Sequence, residues 1–127
     1  MPLKKINILL VDDSITIITR MKEILSDIKC VKSIETATNG AEAYTKIAQN
    51  QPHLVLLDIN MPEKNGIELL REIKQNFPEV RVMMVTNQSV EYYKPICIEM
   101  GAEYFIDKST EFELIPDIID LVSAQIK

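Results

Sequence analysis

Acidic side chains directly follow two apolar runs of this 127-residue sequence. The adjacent pair Asp12 and Asp13 comes after the run that ends at Val11, and Asp58 comes after the run Leu54–Leu57. Carboxylates that are brought together repel one another and resist ionisation. A divalent cation that prefers oxygen ligands, such as Mg²⁺, resolves that conflict. These acids therefore suggest a Mg²⁺ site, provided that the fold brings them to one place.

A hydroxyl and an ammonium group occupy similar places later in the chain. Thr86 ends the apolar run that begins at Val80, and Lys108 follows the run that ends at Asp107. A fixed cation and a hydroxyl donor beside a carboxylate stabilise a phosphoryl group carried by that carboxylate. The acids, Thr86 and Lys108 together suit an aspartyl phosphate that forms next to a metal ion.

An alternation of strands and helices is predicted to position these residues. Apolar runs typical of strands occur at residues 6–11, 31–37, 54–58, 80–86 and 102–107. Apolar residues at helical spacing separate them, and the more alternating second run is typical of an edge strand. This order predicts an α/β fold with a parallel sheet. Ligands of such sheets bind beyond the carboxyl ends of the strands, and each of the polar residues above lies at such an end.

The helical segments carry specific expectations. Ser14 is expected to cap the first helix, and the second is expected over residues 39–50. Pro95 predicts a short fourth helix, and Pro116 predicts an irregular first turn in the fifth. Gly101 is expected to end the fourth helix. The side chains expected to face the core from the first, second, third and fifth helices are Ile17, Ile18, Met21, Ile24, Leu25 and Ile28; Ala43, Tyr44, Ile47 and Ala48; Ile67, Leu70, Ile73 and Phe77; and Ile115, Ile118, Ile119, Val122 and Ile126.

Composition limits the classes of function. The net charge of −5 argues against a nucleic-acid binder, which needs a basic face. The apolar runs are too short for a membrane span, and the unpaired spacing of the two cysteines favours free thiols in the cytoplasm. One domain over residues 1–127, without a separate effector module, is the expected organisation.

In order, these motifs resemble those of the response-regulator receiver family of two-component signalling. The matching residues are Val11-Asp12-Asp13, Asp58-Ile59-Asn60-Met61-Pro62 with Gly66, Thr86 and Lys108. The resemblance covers essentially the whole chain. It implies a flavodoxin-like sheet of five parallel strands in the order 2-1-3-4-5, doubly wound by five helices.

The resemblance also implies roles for the acids. Asp58 is similar to the family's phospho-acceptor, which receives its phosphoryl group from a sensor histidine kinase or a histidine phosphotransfer protein. Asp13 and Asp58 correspond to direct Mg²⁺ ligands, Asp12 to a ligand acting through water, and Asn60 to a main-chain carbonyl ligand.

A switch is implied as well. Thr86 and Lys108 resemble the pair that senses the phosphate, and Phe105 falls at the family's aromatic switch position. The surface expected to change is the face of the fourth helix, fifth strand and fifth helix, with Tyr92, Tyr93, Tyr104 and Phe112. An unknown downstream protein is the expected reader of that face.

Ile15 lies off the apolar stripe of the first helix, at about 100° per residue. Either it docks the histidine phosphodonor at the mouth of the site, or it is one stray exposed isoleucine. His53 begins the third strand and is expected to be an exposed structural residue.

The sequence departs from the family pattern at three places. Asn87 replaces a small residue and is expected to narrow access to Asp58. Ser109 follows Lys108 where proline is usual, which favours a trans peptide bond there. Asp107 replaces an apolar residue and is expected to point away from the site, because side chains alternate along a strand.

Other functions stay open beside this one. A flavin carrier would need a Gly/Ser/Thr-rich phosphate loop in place of the Asp12-Asp13 pair, and the aspartyl-phosphate hydrolases space their two aspartates two residues apart. A receiver-like interaction module that works without phosphorylation is the remaining alternative. Cognate kinase, pathway and oligomeric state cannot be deduced from the sequence, nor can whether the chain is a fragment of a larger regulator.

Overall fold

The structure, a computed structural model, describes residues 4–61 and 65–126. Its strands are β1 (Ile6–Val11), β2 (Val31–Ala37), β3 (Leu54–Leu57), β4 (Arg81–Thr86) and β5 (Tyr104–Asp107). Its helices are α1 (Ile15–Ser26), α2 (Gly40–Gln49), α3 (Gly66–Asn76), α4 (Val90–Glu99) and α5 (Ile115–Gln125), with one 3₁₀ turn at Phe112–Leu114 before α5. The predicted alternation of strands and helices is confirmed.

The strands form one parallel sheet in the order β2-β1-β3-β4-β5, as predicted. The chain leaves β1 for the edge strand β2 and then returns to the other side of β1 with β3. The order of strands therefore reverses between β1 and β3. Val11 pairs with Leu57 at the carboxyl ends of these two strands, so the next residues of both strands emerge side by side at the switch point.

Both faces of the sheet are covered. In β3, Val55 and Leu57 pack into the cluster with α2 and α3, while Leu54 and Leu56 pack into the cluster with α1 and α5. All four side chains are buried. A strand covered on both sides has no polar face, which explains why its sequence is continuously apolar.

Side-chain caps begin four of the helices. The Ser14, Asn39, Asn65 and Ser89 side chains accept hydrogen bonds from the N–H groups three residues later, at 2.8–3.4 Å. Each cap satisfies a donor that the helix itself leaves unpaired. Gly101, with φ of 108°, follows α4 as predicted.

The structure differs from the predicted helices at Pro95 and at Ala48. The helix α4 is as short as α2, with ten residues, but Pro95 was not expected to lie inside a helix and does so here. Pro95 and Glu91 are both exposed, so water can reach the Glu91 carbonyl that loses its N–H donor. Ala48 is exposed although it was expected in the core, because the buried face of α2 is narrow and centred on Ala43 and Ile47.

Smaller differences concern the ends of elements. The strand β5 begins at Tyr104 and not at residue 102, while the irregular start of the fifth helix is confirmed by the 3₁₀ turn.

Two further predictions concern single positions. His53 is half-buried and not exposed, and its Nδ1 accepts a hydrogen bond of 2.9 Å from the Asn7 N–H. Within the described ranges no peptide bond is cis, so the bond from Lys108 to Ser109 is trans as expected.

Candidate functional site

The parallel register brings the predicted acids together at one edge of the sheet. Carboxylate oxygens of Asp12, Asp13 and Asp58 lie within 4.8 Å of one another. Asp12 and Asp58 are buried, whereas Asp13 is exposed. This cluster combines two desolvated carboxylates with one that solvent reaches.

Lys108 approaches the cluster from the end of β5. Its Nζ lies 2.9 Å from Asp12 Oδ2 and 3.5 Å from Asp58 Oδ2. The Asp12 carboxylate also accepts a hydrogen bond of 2.9 Å from the Ser14 N–H at the start of α1. One ammonium group is therefore shared between the two buried acids, and it lies nearer to Asp12.

Asp58 is held in an environment that disfavours its charge. Burial raises the pKa of the Asp58 carboxyl, Lys108 opposes this effect, and the neighbouring Asp12 adds to it. The Thr86 hydroxyl and the Asn60 N–H also act to lower this pKa, but the net direction is upward. A cation at this edge would therefore stabilise the ionised form of Asp58.

Thr86 and Phe105, the two residues predicted to form a switch, are both buried. Thr86 is fully buried at the end of β4, and its Oγ1 accepts a hydrogen bond of 3.2 Å from the Gln88 N–H. Phe105 is 7% exposed and packs into the cluster beneath α3 and α4. The Phe105 ring is therefore buried, and its role in a switch stays a prediction.

The structure explains why position 66 needs a glycine, which the sequence alone did not reveal. A Cβ at this position would lie 2.0 Å from the main-chain oxygen of Asp58. The Gly66 N–H donates a 2.8 Å hydrogen bond to the Ile59 carbonyl. The first turn of α3 therefore rests directly on the backbone of the candidate phospho-acceptor, which only a residue without a side chain permits.

The donor set fits a hard divalent cation. The cluster offers only carboxylate oxygens, two of them on buried residues, and oxygen ligands at a partly open edge suit Mg²⁺. The main-chain carbonyl of Asn60 remains a predicted further ligand. Pro62, which belongs to the same motif, lies outside the described residues.

The residues expected to contact partners lie on the surrounding surface. Ile15 and Tyr92 are each 65% exposed. Tyr93, Tyr104 and Phe112 are partly buried against the core, and the Arg20 guanidinium lies 4.7 Å from the centre of the Phe112 ring.

Comparison with known proteins identifies the family. The response regulator receiver domain model matches residues 8–120. The chain belongs to the response regulator receiver family. This receiver domain is 34% identical over 113 residues to chemotaxis protein CheY of Bacillus subtilis, with 89% of the chain and 93% of that protein covered.

Solved receiver domains share the fold. The receiver domain of NtrX from Brucella abortus has a TM-score of 0.82 at 30% identity, covering 94% of this receiver domain and 99% of that chain. The Francisella response regulator 1452 receiver domain has a TM-score of 0.88 at 19% identity, over 97% and 100% of the two chains. The latter likeness supports the fold alone.

Several relatives are longer proteins. A protein-glutamate methylesterase/protein-glutamine glutaminase of Treponema denticola is 34% identical to this receiver domain over 113 residues. The match covers 87% of this chain but only 30% of that protein. The transcriptional regulatory protein DegU of Brevibacillus brevis is 26% identical over 119 residues, and the match covers 94% of this chain and 50% of that protein. Because one such relative regulates transcription, the absence of nucleic-acid binding stays a prediction.

In the part of the chain described here, no helix is long and apolar enough to cross a bilayer.

Proposed function

We propose that this receiver domain, expected to span residues 1–127, carries its phosphoryl group on Asp58. The domain is expected to work in the cytoplasm, and its donor is the phosphohistidine of a sensor histidine kinase or of a histidine phosphotransfer protein. The observation that carries the proposal is the buried Asp58 carboxylate beside Lys108 and the Asp12 and Asp13 carboxylates. Mass spectrometry after incubation with a phosphodonor and Mg²⁺ tests it, because the modification must map to Asp58.

The chemistry is a substitution at phosphorus. A carboxylate oxygen of Asp58 attacks the phosphorus atom, the P–N bond to the donor imidazole breaks, and the imidazole nitrogen keeps the bonding electrons. The product is an acyl phosphate on Asp58. When bound, Mg²⁺ supplies positive charge that offsets the charge of the carboxylates and of the phosphoryl oxygens.

The chain's own groups stabilise the new charge. Lys108, already within 3.5 Å of Asp58, pairs with the phosphoryl oxygens, and Thr86 donates its hydroxyl hydrogen to them. The protein thus provides its own cation and donor, so a small phosphodonor suffices without a kinase. The domain acts as a signalling switch that catalyses its own phosphorylation and dephosphorylation.

Output is proposed to leave through the face formed by α4, β5 and α5. Movement of Thr86 toward the phosphoryl group is expected to change the packing around Phe105 on the neighbouring strand β5. The Phe105 ring is already buried, with only 7% of the residue exposed. Phosphorylation therefore needs to stabilise this inward position of the ring only a little. The expected change is a shift in the populations of two states, not a new fold.

Asp13 and Asp12 are expected to contribute unequally to Mg²⁺ binding. Asp12 is already held by Lys108 and the Ser14 N–H, whereas Asp13 is exposed and free to turn toward an ion. We expect Asp13→Asn to weaken Mg²⁺ binding more than Asp12→Asn. Mg²⁺ at about 100 times its Kd stabilises the native protein by about 2.7 kcal/mol, which thermal denaturation with and without EDTA measures.

Asp27→Asn is the matched control for this measurement, because Asp27 is an exposed acid at the end of α1. It should keep the full Mg²⁺ response. A melting temperature of the unsubstituted protein that ignores millimolar Mg²⁺ would refute the metal site.

Kinase docking is proposed at Ile15. This side chain is 65% exposed at the start of α1, two residues after Asp13, and burial of such a side chain contributes about 1.5–3 kcal/mol. We expect Ile15→Ser to lower kcat/KM for transfer from the cognate histidine phosphodonor about tenfold, which corresponds to about 1.4 kcal/mol. Labelling by acetyl phosphate should not change.

Leu121→Ser serves as the control, because Leu121 is 54% exposed on α5. Equal slowing of the two variants would indicate a general loss of apolar surface. Full transfer activity of Ile15→Ser would leave Ile15 as a stray exposed isoleucine.

A further inference from the structure

The residues on either side of Lys108 are held by hydrogen bonds to one carboxylate. Asp107 Oδ1 accepts a bond of 2.9 Å from the Ser109 N–H and one of 2.6 Å from the Ser109 hydroxyl. Proline, usual at this position in the family, has no N–H to donate. The acid at 107 and the serine at 109 are therefore complementary, and their two departures from the family pattern have one explanation.

Glu111 closes the same loop from the other side. Its Oε1 accepts a 3.0 Å hydrogen bond from the Asp107 N–H, and its own N–H donates a 2.8 Å bond to the Asp107 carbonyl. The arrangement resembles the reciprocal bonds of a helix capping box. Residues 107 to 111 thus form a ring of hydrogen bonds, which we name the Asp107–Glu111 ring.

Lys108 lies inside this ring and is also fixed to the sheet. Its N–H donates a 2.8 Å hydrogen bond to the Thr86 carbonyl. The Lys108 side chain is only 12% exposed, so packing restricts its stem. The position of its main chain therefore decides which carboxylates the ammonium group reaches. With the main chain held as described, Nζ contacts both Asp12 and Asp58.

Burial does not explain these bonds. Asp107 and Glu111 are partly exposed, so water can solvate both carboxylates without help from the protein. The hydrogen bonds of Ser109 do lower the pKa of Asp107, which shows that they favour its ionised form. The hydrogen bonds of the ring join the residues on either side of Lys108 and so restrain the backbone between them.

We propose that Asp107 and Glu111 are positioning residues of the phospho-acceptor site, which act by fixing the backbone that carries Lys108. This inference rests on the proposed role of Asp58. It adds two acids to the machinery that lie outside the carboxylate cluster and do not contact the phosphoryl group.

A double-mutant cycle with Lys108 tests the inference. The initial rate of Asp58 labelling by acetyl phosphate is measured for Asp107→Ala, Lys108→Ala and the double variant. Misplacement by about 1 Å costs up to about 100-fold in rate, so we expect Asp107→Ala to slow labelling at least about tenfold. In the Lys108→Ala background the same change should alter the rate by less than about twofold, because the group that it positions is absent.

Two further variants separate positioning from a general loss of stability. Asp107→Asn keeps an Oδ1 acceptor for Ser109 and should restore most of the rate. Asp117→Ala removes an exposed acid from the first turn of α5 and should have no effect. If Asp107→Ala does not fold, Ser109→Ala, which removes one of the two bonds, enters the cycle in its place.

Hydrogen exchange gives a readout that does not depend on labelling. The Lys108 amide, which donates to Thr86, should exchange at least about tenfold faster in Asp107→Ala, as expected of a locally opened segment, and should be unchanged in Asp117→Ala. Unchanged exchange, or equal rate losses in both lysine backgrounds, would overturn the inference. Absence of any label on Asp58 in the unsubstituted protein would instead overturn the proposed function, and the exchange result would still decide whether the ring holds Lys108.

Discussion

Asp58→Asn is expected to abolish phosphoryl incorporation without lowering the thermal stability of the metal-free protein at neutral pH. The amide lacks the anionic oxygen that attacks phosphorus. Burial raises the pKa of Asp58, so its ionised form destabilises the folded state. An acid whose folded pKa is raised costs stability at a pH above that pKa, and this cost disappears as the pH falls and the acid protonates.

The stability of Asp58→Asn should therefore equal or exceed that of the unsubstituted protein at pH 7. The difference should shrink as the pH falls through the raised pKa of Asp58. Calorimetry across this range and mass spectrometry of labelled protein check the two halves of the prediction. Asp117→Asn is the control that should keep full labelling, and label that persists in Asp58→Asn would end the assignment.

Lys108→Met is expected to give the largest loss of stability at the site. It leaves two carboxylates whose side chains are each 7% exposed without the ammonium group between them. Removal of one member of a buried ion pair costs about 3–5 kcal/mol. Because burial already raises the pKa of Asp58 and Lys108 opposes that effect, Asp58 can take up a proton when the lysine is absent. The loss should therefore lie near the lower end and should diminish as the pH falls.

Mg²⁺ should restore part of this loss, since the ion places positive charge against the same carboxylates. Lys74→Met is the matched control. Its Nζ also contacts a carboxylate, Glu103, at 2.7 Å, but no acid cluster adjoins it among the described residues. Chemical denaturation in EDTA and in Mg²⁺ should show rescue of Lys108→Met alone, and equal rescue of both variants would contradict the shared role of Lys108.

The sequence by itself determined the fold class and the edge of the sheet that carries the site. Continuous apolar runs specify strands that are buried on both faces, and parallel strands send their carboxyl ends to one edge. Asp12, Asp58 and Lys108 each follow a strand directly, so their convergence required only the order of the strands. The register of Val11 with Leu57 then places the two buried acids side by side.

Only the tertiary structure decided those features that depend on solvent exposure or on contacts between distant segments. Exposure of Pro95 permits a proline inside α4, which local propensity argued against. Gly66 is required because α3 rests on the backbone of Asp58, a contact that no local pattern specifies. The bonds from Asp107 to Ser109 and Glu111 likewise became visible only with the loop in three dimensions, because the geometry of a turn, not the type of its residues, determines which donor meets which acceptor.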